Sequence, residues 1–474
     1  MANSTSDLAR LVHAKLEEEK ARLFKLKSPW LITSAIPAPN LLVKIFDVVY
    51  YTSLKTEEGR PVVTRLCLVN PDKPEDSPPP MPRLSRWHLV PLADRLPLAV
   101  PTLVKIAKAA DPWTSALTVF FDKSGEPYIW ALIDQTVHWN RMLVREGTGY
   151  DPPGLMNVVA NGVADISVYH GTSFLARLQQ DTLVEAQNDV FWHGPVAKRM
   201  QGWTRSFRRR IRKRITPHVY DSQVDGEFTF NDLWIGSLCR ILINIQRYRH
   251  GGAILITSQS EELFPHYKVR YDRLPQHMEQ LAVERCRAGE AGELLHAMME
   301  NRKRTLPTDT YVEECLADSE IEDLEESLTG TVHFISSLSC VDGLVLMKPD
   351  LTVAGYGVEI RARKEVDSVR LSFSPKLSPK TSRLIEANHF GTRHRSMMRY
   401  CFSHPSSLGF VVSQDGDTRA LMRVGNEIVI WDNLKVRSTW FENWTSSLPQ
   451  RKKQRPAAAP ASQHMSARRH NPLL

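Results

Sequence analysis

The chain has 474 residues, of which 42% are hydrophobic, 24% charged and 8% aromatic, the make-up of a soluble globular protein with two or three domains. No apolar run approaches the roughly 18 residues that span a bilayer, and the opening MANSTSDLARLVHAKLEEEKARLF lacks the apolar core of a signal peptide. A cytoplasmic protein with no membrane contact is therefore expected. The net charge of +8 is local: residues 198–214 carry nine Lys/Arg and residues 451–474 carry six, neither with an acid, and without that +15 the rest of the chain stands at −7.

The first element expected is an N-terminal amphipathic helix within residues 1–27, with Leu8, Leu11, Val12 and Leu16 at helical spacing. Residues 28–190 read as a strand-rich α+β domain. Within it, LLVKIFDVVYYTSLKTEEGRPVVTRLCLVN (41–70) gives a helix or strand, a turn and a strand, and PDKPEDSPPPMPR (71–83) is a loop. SALTVFFDKSGEPYIWALIDQ (115–135) is a hairpin about Lys123–Pro127, and further short strands follow in GLMNVVANGVADISVYHG (154–171).

Residues 191–227 read as a basic connector. Its KRMQGWTRSFRRRIRKR run suits either a solvated basic helix face or linker, or a contact for nucleic acid or an acidic partner. A second domain, α/β with a mixed sheet, occupies 228–445. Leu238, Ile241, Leu242 and Ile245 make a helix face, Gly251-Gly252 ends that helix, and AILIT (253–257) is a buried strand. Residues 275–330 form a helical insert that leaves the sheet, acidic toward its end. Strands resume in VDGLVLMKPDLTVAGYGVEI (341–360), with a turn at Lys348–Asp350, and LGFVVSQ (408–414) is another strand after a helix in SMMRYCFSH. The last stretch, 446–474, reads as a disordered basic tail.

The six cysteines are widely spaced with no C-x-x-C, which suits neither a zinc site nor a disulfide framework. Two features bear on chemistry. In HFGTRHRSMM (389–398), Arg393 and Arg395 flank His394 after Gly391 and Thr392. Guanidinium forks, a hydroxyl and N–H groups entering a helix together suit a phosphate, although the same turn reads equally as surface arginines paired with acids elsewhere. In CVDGLVLM, Asp342 and Gly343 open a strand, where a carboxylate beside a glycine suits a magnesium–nucleotide complex or an ordinary turn.

Taken together and in this order, GGAILIT, DGLVLMKPDLTVAGYGVEI, GTRHR and VVSQ resemble the diadenylate cyclase (DAC) domain superfamily over roughly residues 230–435. Members carry Asp-Gly-Ala and Gly-Thr-Arg-His-Arg motifs and condense two ATP into cyclic di-AMP. The resemblance implies that Asp342 binds Mg²⁺ or Mn²⁺ and helps activate the ribose 3′-hydroxyl. It implies that Gly343 and Leu344 line the nucleotide, that Gly391, Thr392, Arg393, His394 and Arg395 hold the triphosphate, and that Ser413 contacts a phosphate. It also implies that two copies meet, so a catalytic form is a homo-oligomer. The chain departs from the pattern at Leu344, where members have alanine, and Gln414 follows the serine where some have a second metal-site acid.

The runs SLKTEEGRPVVTRLCLVNP, ADPWTSALTVFF and YIWALIDQ of the first domain are similar to a DAC-related group described as probable sensor domains, DACNV. Two functions are therefore expected: a diadenylate cyclase, or a catalytically inactive nucleotide sensor in bacterial signalling or conflict systems. A nucleic-acid-binding protein led by residues 198–214 rests on charge alone.

Overall fold

The computed structural model describes residues 3–25, 36–72, 88–110, 115–134, 155–170, 173–215, 227–248, 250–300, 308–414 and 417–436. The expected 446–474 tail, most of the proline-rich loop and residues 216–226 of the connector lie outside them. The fold is α+β, with two mixed sheets inside one compact unit, Met1–Thr439.

The first sheet collects β3 (Thr64–Leu68), β4 (His88–Pro97), β5 (Ser115–Phe121), β6 (Pro127–Asp134), β7 (Met156–Gly162), β8 (Asp165–His170), β9 (Ser173–Gln179) and β10 (Thr182–Val184). Their order is β10-β9-β8-β7-β3-β5-β6-β4, and only β3 and β5 run parallel. The expected hairpin is β5–β6, turned by Asp122, whose carboxylate accepts from the N–H groups of Ser124 and Glu126. A two-residue ladder, β1 (Thr56–Glu57) with β2 (Arg60–Pro61), precedes it. Helices α1 (Thr5–Lys25) and α2 (Pro39–Ser53) cover one face. Leu8, Val12 and Leu16 of α1, at the spacing seen in the sequence, join Ile45, Phe46 and Val49 of α2 over Leu66, Leu117, Val158 and Ile166. Helix α3 (Val100–Ile106) packs beside α2.

The basic run does not stand apart as a connector. Residues Gly194–Arg212 form α4, whose Met200, Phe207 and Ile211 are buried in the core of the second sheet, while Arg205, Arg209 and Lys213 are exposed. An apolar side chain every third or fourth position among arginines gives one buried stripe and one charged face. Helix α5 (Glu227–Tyr248) follows, with Leu238, Ile241, Leu242 and Ile245 fully in the core.

The second sheet is built from β11 (Gly252–Ile256), β12 (Leu263–Tyr271), β13 (Leu344–Met347), β14 (Val353–Ile360), β15 (Ser368–Ser372), β16 (Ser382–Glu386), β17 (Leu408–Val412), β18 (Thr418–Val424) and β19 (Glu427–Trp431). The order is β12-β14-β13-β11-β17-β18-β19-β15-β16, with β11/β13 and β15/β19 parallel. Both faces are covered, so central strands are apolar throughout. Ile254, Val345 and Phe410 face one way, toward α4, α5, α6 (Arg273–Glu300) and α7 (Thr308–Leu338). Leu255, Leu344, Leu346 and Val411 face the other, toward α8 (Thr392–Ser403), which buries Met397, Met398 and Tyr400.

The helical pair read as an insert at 275–330 is part of this layered structure. It runs from Arg273 to Leu338, and Leu281, Leu328, Val332 and Ile335 belong to the same core as the strands. It lies on the face opposite α8.

The segment leading out of the first sheet is tied to the end of the second. Asn188 donates its N–H to Asn433 O (2.9 Å), accepts from Lys435 N (2.9 Å), and donates from Nδ2 to Asp432 O (2.6 Å). Asn433 Nδ2 in turn donates to Ala186 O (2.8 Å).

Candidate functional site

Strand register sets three of the expected residues side by side. Gly252 pairs with Val412, and Ile254 pairs in parallel with Val345, so Gly343 is level with Gly252 and Ser413 lies just beyond. The N-terminal ends of β11 and β13 and the C-terminal end of β17 thus form one rim of the second sheet. Asp342 is exposed there, and no described residue bonds to its carboxylate.

Helix α8 begins at the same rim. Its N-cap is Gly391, which offers no side chain to the first-turn N–H groups, and its first turn contains no acid. The free N–H groups and the positive end of the helix therefore face solvent. Thr392 is exposed beside them.

Arg393 leans over the β11 end. A Cβ built on Gly251 would lie 3.2 Å from Arg393 Nη1, 3.2 Å from the Val412 carbonyl oxygen and 3.4 Å from Gln414 N. Gly251 has φ +71°, so glycine serves both backbone conformation and the close approach of the guanidinium. Among the described residues, Arg393 has no carboxylate partner, which leaves its positive charge for an anion at the rim.

The other two residues of the Arg-His-Arg turn point elsewhere. His394 Nε2 lies 3.4 Å from Arg419 Nη1 on β18, and its ring packs against Phe390. Burial, then the charges of Arg419 and Arg393, hold the His394 imidazole down to about 4, so it is neutral near pH 7. Arg395 follows Arg393 by ~200° around the helix. With Arg399, Glu365, Asp367 and Glu386, it lines a cavity of about 400 Å³ between α8 and the β15–β16 hairpin. Its Nε is buried without a hydrogen-bond partner among the described residues. The turn therefore brings Arg393 to the rim and does not bring His394 and Arg395 to the same point.

Gly343 has φ +111°, and a Cβ on it would lie 2.6 Å from Gly357 C and 2.7 Å from Val358 N. Glycine is required here by the packing of β13 on β14. Leu344 is 5% exposed and sits in the core beneath α8, so its side chain faces protein on all sides. The bulk that distinguishes it from alanine is taken up by the core and not by the rim.

Ser413 is held by a tight exchange with Asp417: Ser413 N donates to Asp417 O (2.8 Å), and Asp417 N donates to Ser413 Oγ (3.1 Å). Because the hydroxyl oxygen accepts from Asp417, its own proton is available to a ligand. Among the described residues no group of three or more His, Cys, Asp or Glu is placed to hold a metal ion. Asp342 offers a single carboxylate, which fits a Mg²⁺ or Mn²⁺ that takes its remaining oxygen ligands from phosphates and water.

Sequence reasoning did not single out Arg419 or Asp417. Arg419 sits in TRALMRV, where its pairing with Asp432 (Nε to Oδ1, 2.8 Å) and His394 depends on neighbouring strands. No helix of the described residues is long and apolar enough to cross a membrane.

No curated protein and no solved structure matches this chain. Residues 32–134, which include α2, α3, the β1–β2 ladder and β3 through β6 of the first sheet, match the family described as probable sensor domain DACNV.

Proposed function

We propose that the chain is a nucleotide sensor, and that the rim of the second sheet takes the phosphates of an adenine nucleotide such as ATP. The observation that carries this reading is Arg393: a guanidinium without a carboxylate partner among the described residues, lying over Gly251 at the uncapped N-terminus of α8. Thr392, the first N–H groups of α8 and the hydroxyl of Ser413 supply further donors to the same anion. Asp342 would hold a divalent cation that arrives with the phosphates and neutralises part of their charge. The DACNV match of residues 32–134 supports sensing over turnover, as does the separation of Arg395 from Arg393.

A second reading is condensation of two ATP to cyclic di-AMP, and membership of the DAC superfamily belongs with it. The carboxylate of Asp342, exposed at the rim and without a partner among the described residues, favours it, and it requires a second copy of the chain to bring the second ATP.

Calorimetry with ATP and Mg²⁺ or Mn²⁺, with the mixture read by mass spectrometry, tests both. The sensor reading expects binding without product, lost in Arg393→Ala. Cyclic di-AMP that disappears in Asp342→Asn would establish the cyclase. Unchanged affinity in Arg393→Ala would remove the rim as the site.

A further inference from the structure

Arg177 is a charged residue inside an otherwise apolar stretch of β9, Phe174 to Leu178, and is 9% exposed. Its side chain leaves its own sheet. Nε and Nη2 make a fork to Asp165 on β8 (2.7 Å to Oδ1 and 2.6 Å to Oδ2), and Nη1 reaches the carboxylate of Asp417, in the turn between β17 and β18 of the second sheet. Burial works against the charge on Arg177, but the two carboxylates outweigh it and hold the guanidinium firmly protonated. Asp165 is braced from behind by Asn161, whose Nδ2 donates to it (3.1 Å) and to Ser167 Oγ (2.7 Å).

Asp417 is also the residue that fixes Ser413. Asn161, Asp165 and Arg177 are thus linked by hydrogen bonds to the Asp417 carboxylate, and the main chain of the same Asp417 holds the Ser413 hydroxyl at the rim. We propose that Arg177 is a positioning residue that the first sheet contributes to the site on the second, and that this bridge carries occupancy of the site into the first sheet. The proposal rests on the nucleotide reading of Ser413. A ligand that accepts the Ser413 proton and draws the serine toward it carries along Asp417, whose N–H and carbonyl are bonded to Ser413, and a buried guanidinium cannot follow one carboxylate without shifting on the other. Strands β8 and β7 then lead to β3, inside the residues that match the sensor family. The coupling is reciprocal: what moves β9 also changes affinity at the rim.

Hydrogen exchange read by mass spectrometry on the full chain, with ATP and Mg²⁺ as the probe, tests this. In the wild type, ATP is expected to slow exchange in β17 and β18 and also in β8 and β9. In Arg177→Met, ATP affinity is expected to fall about fivefold or more, and the response of β8 and β9 to disappear while that of β17 remains. Arg177→Lys, which keeps the charge, is expected to recover part of both. ATP bound to the wild type with no change in β8 and β9 overturns the relay and leaves the site standing. So does Arg177→Met with unaltered affinity and response. A wild type that binds no ATP overturns the site itself, and the relay with it. The wild-type comparison needs no variant, so a poorly folding Arg177→Met does not shelter the proposal.

Discussion

Arg419 Nη1 lies 3.4 Å from His394 Nε2, and because a guanidinium can only donate, that imidazole nitrogen accepts. The ring is therefore neutral with its proton on Nδ1, and the Arg-His-Arg turn carries two positive charges, not three.

A pH dependence follows. The folded-state value of His394 is about 4 against an ordinary 6.5, so between these limits the unfolded chain binds the extra proton. Stability is then lost as pH falls from about 6.5 toward 4, by up to about 3 kcal/mol, and is unaffected by this group above that window. His394→Gln keeps an acceptor for Arg419 and removes the titration. The difference between wild-type and variant denaturation profiles should show this slope, and parallel profiles from pH 6.5 to 4.5 would refute the assignment.

Asp232 on α5 gives the opposite sign. It is 2% exposed, neither carboxylate oxygen has a hydrogen-bond partner among the described residues, and burial pushes its carboxyl up to about 8. The folded state holds the proton that the unfolded state releases near 4, so stability falls as pH rises from about 4 to 8. Asp232→Asn should be nearly neutral at pH 4 and stabilising by about 2 kcal/mol or more at pH 8. Urea titrations at the two pH values decide it, and an equal effect at both would count against a buried protonated carboxyl.

Placing alanine at position 344 should harm the protein. Leu344 fills core beneath Met397 and Met398, and Leu344→Ala is expected to cost about 2–5 kcal/mol through the cavity it leaves. Thermal unfolding of the ligand-free chain measures this, and an unchanged melting temperature would mean that the side chain faces the rim after all.

Gly343→Ala tests whether that glycine serves packing or ligand. With φ +111° and a Cβ 2.6 Å from Gly357 C, the substitution should destabilise by more than about 2 kcal/mol even without nucleotide. A variant as stable as the wild type that merely binds ATP poorly would assign the glycine to the ligand instead.

On α4 the two faces should separate cleanly. Phe207→Ala is expected to cost about 3–5 kcal/mol, whereas glutamine at the exposed Arg205, Arg209 and Lys213 should leave stability within about 0.5 kcal/mol. If this face meets nucleic acid or an acidic partner, the triple variant should lose salt-sensitive retention on heparin. Retention equal to that of the wild type would exclude this face as the contact.

These residues also show what was legible beforehand. The β5–β6 hairpin announced itself through Lys123–Pro127, and α5 through Leu238, Ile241, Leu242 and Ile245, because local spacing alone determines both. Strand β12 could have been read as well: polar His266, Lys268 and Arg270 alternate with Tyr267, Val269 and Tyr271, a period of two that survives although most of the strand is exposed. The hairpin β15–β16 was missed because its strands are short and mostly polar, and what anchors it to the sheet is the pairing of β15 with β19, distant in sequence. At the rim, Asp342, Arg393 and Ser413 were readable as motif positions. Which way His394 and Arg395 turn, and that an arginine of the first sheet reaches Asp417, depended on neighbours no local pattern reveals. Leu344 could have been placed: in LVLM it alternates with Val345 and shares its face with Leu346, the signature of a strand buried on both sides.

The stitch at Asn188 bears on how such a chain is inherited. Three groups at the end of the second sheet, Asn433 O, Lys435 N and Asp432 O, find their partner in a residue encoded upstream of α4. An exchange of the first sheet for another module that cut after Asn188 would strand all three. A gene fragment meant to travel with the second sheet must start before Ala186, and a lineage that shuffles these halves is constrained to break the chain there.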